Sequence, residues 1–319
     1  MKVITWDGIS PAPVEARDFA VAIGNFDGVH RGHAALLRRL HRLKETSGCS
    51  AQIITFDPSP TTILRPELVI EPLTTLDTRL KLIAGYDIDS ALVLKTSPAL
   101  LEVSAADFWN ELLCKQLKIK GIVEGRNFCF GKDRLGTIEQ LRHWTQEKRI
   151  PLEVVDDVYR RNLRISSSEI RSLLKRGEVE LARRALGRWY SITGKIVHGE
   201  HRGRTIGFPT CNLAEIPTLI PKEGVYAARA LVNDVWHIAA FNIGPNPTFG
   251  VDTRKVEAHL LDFQGDLYGK SLTLEFVARL RDTRKFAGIH ELQEQLQLDV
   301  EQACSIVKEY EGRQCHDRR

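Results

Sequence analysis

A change of pattern part-way along its 319 residues limits this chain to two kinds of folded structure. Up to about residue 186, short apolar runs such as Ala20 to Ile23 alternate with amphipathic segments such as Gly32 to Thr46. This alternation predicts an α/β fold in which helices cover both faces of a parallel sheet. From Trp189 to Phe276 the runs are short and β-branched, with Gly and Pro between them, which predicts a small antiparallel β-barrel. A final helix is predicted from about Ile289 to Tyr310.

The same patterns predict the domain boundary and the positions of the elements. The boundary is placed at Gly187, which gives domains 1–186 and 187–319, in line with roughly 150 residues per domain. Ser104 is predicted to cap a helix that runs to Leu117, and Gly48 to end the first helix. The other elements predicted in the first half are strands at Gln52–Thr55, Ala91–Leu94, Ile119–Val123 and Leu152–Val155, and helices at Leu76–Ala84, Ile138–Glu147 and Val179–Ala185.

Composition and charge exclude several classes of function. The formal net charge of +4 is too small and too evenly spread to favour nucleic acid, which needs a concentrated basic face. No run approaches the ~20 apolar residues that a membrane helix needs, and no apolar segment typical of a signal peptide follows the first residues. The six cysteines form no C-x-x-C pair and no zinc-binding spacing, which indicates a reducing compartment. We therefore expect a soluble, cytoplasmic protein without nucleic-acid or membrane partners, and leave its oligomeric state open.

The most informative segment, Gly24 to His33, lies between the first predicted strand and the first predicted helix. Ligands of open parallel sheets bind at the carboxyl ends of the strands. Gly28 would let the backbone approach a ligand closely, and Gly32 would leave room for a phosphate at the N-terminus of the helix. His30 and His33 are three residues apart, so one helical turn can place both imidazoles beside the same phosphate. The alternative is a tight turn with two surface histidines.

A second segment, Ile165 to Arg171, is predicted to begin another helix. Ser166 and Glu169 have the spacing of a capping box. The hydroxyl of Ser167 and the helix N–H groups can hold phosphate oxygens, and the guanidinium of Arg171 can fork onto the same phosphate. A helix cap without any ligand is the alternative.

In the second half, the stretch Gly199 to Leu213 combines glycines, arginines and oxygen-bearing side chains. Backbone N–H groups of such a glycine-rich segment can wrap phosphates. Thr210 and Asn212 offer the oxygen ligands that Mg²⁺ prefers, on one face if the segment is extended. A basic, flexible hairpin loop is the alternative. The residues predicted to hold the nucleotide here are Gly199, Gly203, Arg204, Gly207, Thr210 and Asn212.

A strand-like segment, Val256 to Phe263, supplies carboxylates to the second half. Glu257 and His259 share one phase of the alternation, whereas Asp262 breaks it. A carboxylate within hydrogen-bond reach of an alcohol can take its proton while a phosphoryl group is transferred. For Glu257 the alternative is an outward-facing strand residue without a chemical role.

The two segments of the first half together resemble the nucleotidylyltransferase superfamily, which is marked by H-x-G-H and a later I-S-S-S-x-I-R. Gly24 to His33 and the loop Val123 to Gly131 are most similar to the FMN adenylyltransferase module of bacterial FAD synthetases. The resemblance implies that ATP adenylylates FMN to FAD, that Mg²⁺ accompanies the pyrophosphate, and that His30, His33 and Arg171 are catalytic. The other residues that it assigns are Gly24, Phe26, Asp27, Gly28 and Ser167 for the nucleotide, and Asn127 and Phe130 for the flavin.

Two positions depart from the pattern of that family. Position 127 is often Asp in relatives and is Asn here, which removes a charge and keeps a hydrogen-bonding group. Relatives usually carry His where this chain has Ser59, so an imidazole contact with the substrate would be missing. The effect of Ser59 on the rate of adenylylation is left open.

The second half, from Gly199 through Phe286, resembles riboflavin kinase. The resemblance implies that ATP phosphorylates riboflavin to FMN, that Thr210 and Asn212 bind Mg²⁺ and the nucleotide phosphates, and that Glu257 is the catalytic base. It also assigns Arg281 to the flavin side of the site, with a surface arginine as the alternative. The resemblance covers about residues 18 to 303, and both motif sets occur in the order expected of bacterial bifunctional enzymes.

Two other functions would explain parts of the sequence. A riboflavin kinase with a degenerate, flavin-nucleotide-binding first half is favoured by Ser59 and opposed by the intact His30, His33 and Arg171. A transferase acting on another phosphorylated alcohol would explain the first half and leave the second unexplained.

Overall fold

The computed structural model describes residues 1–160, 163–198, 207–245 and 254–316, with side chains described up to residue 312. It divides into two compact units, Met1–Ser167 and Ser168–Arg319. The division lies before the predicted boundary at Gly187, so residues 168–186 belong to the second compact unit. The domain limits 1–186 and 187–319 therefore stay a prediction.

The first unit is built from short strands and helices in alternation. Its strands are β1 (Lys2–Trp6), β2 (Phe19–Ile23), β3 (Ser50–Asp57), β4 (Ser90–Lys95), β5 (Gly121–Gly125), β6 (Cys129–Phe130), β7 (Gly136–Thr137), β8 (Leu152–Val155), β9 (Tyr159–Arg160) and β10 (Leu163–Arg164). Its helices are α1 (Arg31–Ser47), α2 (Pro60–Leu64), α3 (Leu76–Ala84), α4 (Pro98–Leu101), α5 (Ala105–Asp107, continued as a π-helix over Phe108–Gln116) and α6 (Ile138–Lys148).

Within the described residues, six of these strands form one parallel sheet in the order β1-β4-β3-β2-β5-β8. After β2 the chain builds β3 and β4 on one side, and later β5 and β8 on the other. The direction of winding therefore reverses between β2 and β5, and the crevice at such a reversal is where open α/β sheets bind ligands. The predicted parallel α/β fold is confirmed.

Alternate residues of the central strands pack into two separate cores. Ile23 and Ile54 belong to one cluster with Trp109 and Leu141, whereas Ala22 and Ile53 belong to another with Leu37 and Leu40 of α1. Because successive strand residues point to opposite faces, these two clusters show that both faces of the sheet are covered. Gly48 ends α1 in the left-handed conformation, as predicted.

Three elements differ from the sequence prediction. The edge strand β1 was missed because Lys2, Val3 and Thr5 are exposed and its apolar pattern is short. The strand expected at Ile119 to Val123 begins two residues later, at Gly121. The helix capped by Ser104 exists, but its main part is a π-helix, a form that apolar periodicity does not distinguish.

The described residues of the second unit form two short helices, a barrel and one long helix. The helices are α7 (Ser167–Arg176), α8 (Val179–Leu186) and α9 (Ile289–His316). The strands are β11 (Tyr190–Val197), β12 (Cys211–Ala214), β13 (Gly224–Val232), β14 (Val235–Pro245), β15 (Arg254–Leu260) and β16 (Ser271–Arg281).

The six strands close into an antiparallel barrel in the order β11-β12-β15-β14-β13-β16, as the sequence predicted. Tyr226, Phe241 and Phe276 meet inside it with ring centroids 4.9 to 5.4 Å apart. Ala303 and Val307 of α9 pack on an outer apolar surface of the barrel. The helix α9 continues to His316, whereas the sequence predicted that it ends at about Tyr310.

Gly131 and Gly48 give a matched test of packing in the first unit. Both have positive φ, but a Cβ on Gly131 would lie 2.5 Å from the backbone of Ala105, whereas a Cβ on Gly48 would have no atom within 4 Å. We expect Gly48→Ala to cost about 1–2 kcal/mol of stability through the left-handed backbone alone. Gly131→Ala should cost about 1–3 kcal/mol more, because Ala105 must move. Urea denaturation measures both, and equal losses would contradict the packing described here.

Candidate active sites

The turn from Gly24 to His30 leaves the carboxyl end of β2 and leads into α1. Phe26 and Val29 adopt positive φ values of 49° and 37°, although neither is glycine, and Gly28 has φ 81°. Non-glycine residues hold such conformations only where surrounding contacts enforce them, often at functional sites. The contacts that enforce this turn are described next.

Asp27 fixes the turn to the segment before α3. Its carboxylate is buried and accepts hydrogen bonds from the N–H groups of Leu73 and Thr74 at 3.0 Å and from Thr74 Oγ1 at 3.1 Å. Thr74 Oγ1 in turn accepts the N–H of Gly28 at 3.0 Å. These bonds give Asp27 a structural function, and its assignment to the nucleotide stays a prediction. Sequence reasoning missed Thr74, which lies 47 residues from Asp27.

His30 is the N-cap residue of α1. Its Nδ1 accepts hydrogen bonds from the N–H groups of Gly32, at 3.1 Å, and His33, at 3.3 Å. These two N–H groups therefore have an acceptor within the protein, and the phosphate expected at the N-terminus of the helix stays a prediction. An imidazole that accepts at Nδ1 carries its proton on Nε2 in the neutral form, so Nε2 is a hydrogen-bond donor. Gly32 is needed because a Cβ there would lie 3.0 Å from the His30 ring.

The two imidazoles are brought together as predicted. The rings of His30 and His33 stack with centroids 3.7 Å apart and an interplanar angle of 16°. The buried ring of Phe26 meets the His33 ring edge to face at 5.3 Å. The alternative of a tight turn with two surface histidines does not fit this pair, because His30 is only 6% exposed.

The second motif reaches the first through Ser167. Its hydroxyl donates to the backbone oxygen of Asp27 at 2.8 Å, and the backbone oxygen of Ile165 lies 3.7 Å from the Cβ position of Gly32. Arg171 lies on α7, four residues after Ser167 and thus about one turn along the helix. The nucleotide-binding role predicted for Ser167 and the catalytic role predicted for Arg171 stay predictions.

The loop after β5 is tied to the hairpin that follows β8. Asn127 Nδ2 lies 3.1 and 2.9 Å from the two carboxylate oxygens of Asp157, which also accepts from Arg164 Nε at 3.0 Å. An aspartate at position 127 would put two carboxylates together, so Asp157 explains why Asn fits here. The Phe130 ring is buried against Phe128, with centroids 5.3 Å apart. Phe130 thus belongs to the core, and its flavin contact stays a prediction.

Ser59 and Arg79 both lie near the carboxyl end of β3: Ser59 follows this strand along the chain, and Arg79 reaches it from α3. Ser59 is the N-cap residue of α2, but its side chain makes no capping bond. Arg79 is 8% exposed, its Nη1 lies 3.5 Å from Thr55 Oγ1, and its Nε has no hydrogen-bond partner among the described residues. Burial lowers the pKa of Arg79, while the negative charges of Asp27 and Asp57 raise it. Arg79 therefore balances two buried or nearby carboxylates, a function that no sequence motif indicated.

In the second unit, three polar residues lie side by side across the barrel. Glu257 of β15 is directly opposite Asn212 of β12 on one side and Asn242 of β14 on the other. Residues directly opposite in an antiparallel pair share one face, so the three side chains form one row. Val256 and Ala258 are buried, while the side chain of Glu257 is 33% exposed, which puts the row on the outer face.

Asn212 has the character of a ligand residue. It is 7% exposed, and among the described residues its Oδ1 is buried without a hydrogen-bond partner. A buried oxygen of this kind calls for a partner such as an ion. Cys211, between Thr210 and Asn212, points to the other face, and burial raises the pKa of its thiol to about 11. The Cys211 thiol therefore stays protonated and does not compete as a ligand near neutral pH.

Two further residues support this row, and sequence reasoning gave neither a role. Lys255 Nζ lies 2.6 Å from Glu257 Oε1. His259 Nδ1 lies 2.8 Å from the backbone oxygen of Pro209, and its ring meets Phe208 edge to face at 5.6 Å. His259 thus holds the segment directly before Thr210, the predicted metal ligand.

Arg281 is not brought to Glu257. It is the last residue of β16, rather than a loop residue, and β16 is three strands from β15 in either direction around the barrel. Its guanidinium forks onto the carboxylate of Asp299 on α9, with Nη2 to Oδ2 at 2.7 Å. Its flavin role stays a prediction. Of the residues predicted to hold the nucleotide in this unit, Gly207 has a positive φ of 85°. Three others lie outside the described residues, namely Gly199, Gly203 and Arg204.

Comparison with known proteins matches both units. The FAD synthetase family matches residues 12–169, and the riboflavin kinase family matches residues 186–307. A bifunctional riboflavin kinase/FMN adenylyltransferase from Pseudomonas fluorescens is 34% identical over 294 residues, covering 92% of this chain and 94% of the relative. This chain belongs to the bifunctional riboflavin kinase/FMN adenylyltransferase family.

Other members of the riboflavin kinase/FMN adenylyltransferase family are about equally similar. The protein of Bacillus subtilis (strain 168) is 33% identical, with coverage of 89% of this chain and 90% of the relative. The protein of Escherichia coli (strain K12) is 32% identical, with coverage of 91% and 93%. The family predicted from the motifs is thus confirmed.

A solved structure shows the same fold along nearly the whole chain. It is described as a macrolide-efflux protein from Streptococcus pneumoniae, with a TM-score of 0.86, 28% identity, and coverage of 94% of this chain and 98% of that one. That description concerns the other protein. In the part of this chain that the structure describes, no helix is both long and apolar enough to cross a membrane.

Thr74 allows a test of how firmly the histidine turn of this riboflavin kinase/FMN adenylyltransferase family member is held. Thr74→Val removes the hydroxyl that donates to Asp27 and accepts the N–H of Gly28. We expect a loss of about 1–3 kcal/mol of stability. Thr74→Ser keeps the hydroxyl and should lose clearly less. Thermal unfolding of the two variants checks this, and a larger loss in Thr74→Ser than in Thr74→Val would show that the methyl group matters more than the hydroxyl.

Proposed function

We propose that this protein carries out two ATP-dependent reactions, one in each unit. The second unit phosphorylates riboflavin to FMN, and the first adenylylates FMN to FAD with release of pyrophosphate. The observation that carries the proposal is the pairing of two different sites in one chain. A stacked imidazole pair lies at a strand-to-helix turn in one unit, and a carboxylate lies between two asparagines in the other.

In the adenylylation proposed for the first unit, a phosphate oxygen of FMN attacks the α-phosphorus of ATP. The bond from the α-phosphorus to the oxygen that bridges to the β-phosphate breaks, and pyrophosphate leaves. The acceptor is already ionised near neutral pH, so no general base is needed and the site must align the phosphates and stabilise charge. His30 suits this task because its Nδ1 accepts from backbone N–H groups, so the proton of the neutral imidazole is on Nε2, the nitrogen that can donate to a phosphate oxygen. His33, stacked on it, takes the same role. Arg171 and Ser167 hold the ATP phosphates.

In the phosphorylation proposed for the second unit, a ribityl hydroxyl of riboflavin attacks the γ-phosphorus of ATP, and ADP leaves. This nucleophile is neutral, so a carboxylate must take its proton as the bond forms. Glu257 is partly exposed and can reach an alcohol on the outer face of the barrel. Lys255, at 2.6 Å, keeps a positive charge beside the carboxylate when no substrate is bound.

The residues present fit a magnesium ion in the second unit. Asn212 Oδ1 is a buried oxygen that has no partner among the described residues, and Thr210 offers a hydroxyl two residues earlier. Thr210 and Asn212 would hold Mg²⁺, and His259 would keep Thr210 in place through Pro209. When bound, Mg²⁺ neutralises charge on the ATP phosphates.

The location of the protein is part of the proposal. The cysteines whose side chains are described are all free, namely Cys49, Cys114, Cys129, Cys211 and Cys304. Free thiols are typical of a reducing compartment, which supports a cytoplasmic protein. Riboflavin, FMN and ATP are its small-molecule substrates.

The product assay decides between the bifunctional enzyme and a kinase with a degenerate first unit, the alternative that Ser59 favours. We expect purified protein with riboflavin, ATP and Mg²⁺ to give FMN first and FAD afterwards, because FMN must form before it can be adenylylated. Chromatography of timed samples separates the flavins. Accumulation of FMN without FAD, also when FMN is supplied directly, would support the degenerate first unit.

Paired variants test the division of labour between the units. Glu257→Gln should lower the rate of FMN formation by about 10²–10⁴-fold, because it removes the base, and should leave FMN-to-FAD conversion unchanged. His30→Asn should do the reverse, since Asn still caps α1 but has no Nε2–H. The two half-reactions are assayed separately with riboflavin and with FMN. Loss of both activities in either variant would argue against separate sites.

A further inference from the structure

Glu124 is a buried acidic residue to which neither the sequence analysis nor the proposed reactions assign a function. It lies on β5 with 2% of its surface exposed, and among the described residues no cation forms an ion pair with it. Burying a carboxyl group without a cation is costly unless hydrogen bonds compensate. The contacts of Glu124 therefore call for an explanation.

The carboxyl group bridges two strands where their ladder ends. β2 and β5 are paired at Ala20 with Gly121 and at Val21 with Ile122, and the pairing does not extend to Ile23. There, Glu124 Oε1 accepts the N–H of Ile23 at 2.7 Å. The Glu124 side chain thus supplies the acceptor for the Ile23 N–H that the backbone of β5 no longer provides. It does so between β2 and β5, the two strands at which the winding of the sheet reverses.

This position connects the two loops of the first site. Ile23 directly precedes Gly24, where the turn with His30 and His33 begins. Glu124 itself directly precedes Gly125, where the loop with Asn127 begins, and the N–H of Gly125 also interacts with the carboxyl group. One side chain therefore fixes the starting points of both loops relative to each other.

We propose that Glu124 is a positioning residue for FMN adenylylation, which sets the separation of the histidine turn and the loop from residue 125 to 131. The inference rests on the proposed function of the first unit. Glu124 acts through Ile23 and Gly125 and touches neither substrate. It should therefore be replaceable by a neutral side chain that keeps the acceptor oxygen.

The chemistry of the crevice supports a neutral bridge. Burial raises the pKa of Glu124 well above its usual range, and the N–H groups of Ile23 and Gly125 lower it by less. No charged side chain contributes to the shift. A protonated carboxyl group and a carboxamide have nearly the same shape and the same carbonyl acceptor. Glutamine is thus the conservative replacement, whereas methionine fills the volume without accepting a hydrogen bond.

The test compares Glu124→Gln, Glu124→Met and the neighbouring control Val123→Ala in the full-length protein. Val123 is equally buried on the same strand, and its truncation leaves the Ile23 contact in place. We expect Glu124→Met to lower kcat for FMN-to-FAD conversion at least tenfold. Val123→Ala should lower it less than threefold at a similar loss of melting temperature. Glu124→Gln should stay within threefold of the wild type, and all three should phosphorylate riboflavin normally.

A measurement independent of activity follows the bridge itself. Amide hydrogen exchange of a peptide covering residues 20–28 should be at least tenfold faster in Glu124→Met than in Val123→Ala, and unchanged in Glu124→Gln. If Glu124→Met does not fold, Glu124→Asp, which is one methylene too short to reach Ile23, replaces it with the same expected outcome. Equal kcat values for Glu124→Met and Val123→Ala would overturn the proposal. So would a Glu124→Gln variant as inactive as Glu124→Met.

Failure of the proposed function itself gives a different result. A wild-type protein that makes FMN and no FAD would remove the adenylylation on which the inference rests. An active wild type with unaffected Glu124 variants would remove only the role of Glu124.

Discussion

The first unit depends on acceptors for the backbone N–H groups that leave the sheet at the end of β2. These groups are largely buried, and a buried N–H must be paired. Side chains supply the acceptors: Glu124 for Ile23, Thr74 for Gly28, and His30 for Gly32 and His33. The strained backbone of the turn is stable because each of these bonds restricts it, and the imidazole pair takes its geometry from the same set.

In the second unit, the closed barrel pairs the backbone groups of the strands, and strand register places the polar side chains of the site. A closed barrel has no free strand edges, so its ladder supplies the backbone partners and side chains need not do so. Polar residues on the outer face are then placed by register alone, as Asn212, Glu257 and Asn242 show. A site for an ionised acceptor thus rests on a capped turn, and a site for an alcohol acceptor rests on a strand that presents a carboxylate.

Much of this could be predicted from sequence because it is local. The spacing of His30 and His33 sets their stacking, and the alternation around Glu257 sets its outward direction. The partners that hold these residues could not be predicted, since they are remote in sequence. Glu124 lies 101 residues from Ile23, and Asp157 lies 30 from Asn127. For Arg281 the motif was recognised, but its pairing with Asp299 was not, because that pairing depends on how α9 packs on the barrel.

The imidazole of His30 has two nitrogens on opposite edges, and the fold uses the inner one to start a helix. A single substitution of His30 therefore affects the cap of α1, the proposed donor to a phosphate oxygen, or both. Asparagine or serine would preserve the helix and remove the outer donor, while a lysine would offer a cation and leave the helix uncapped. Such a position should tolerate almost no variation, although its side chain is small and carries no permanent charge.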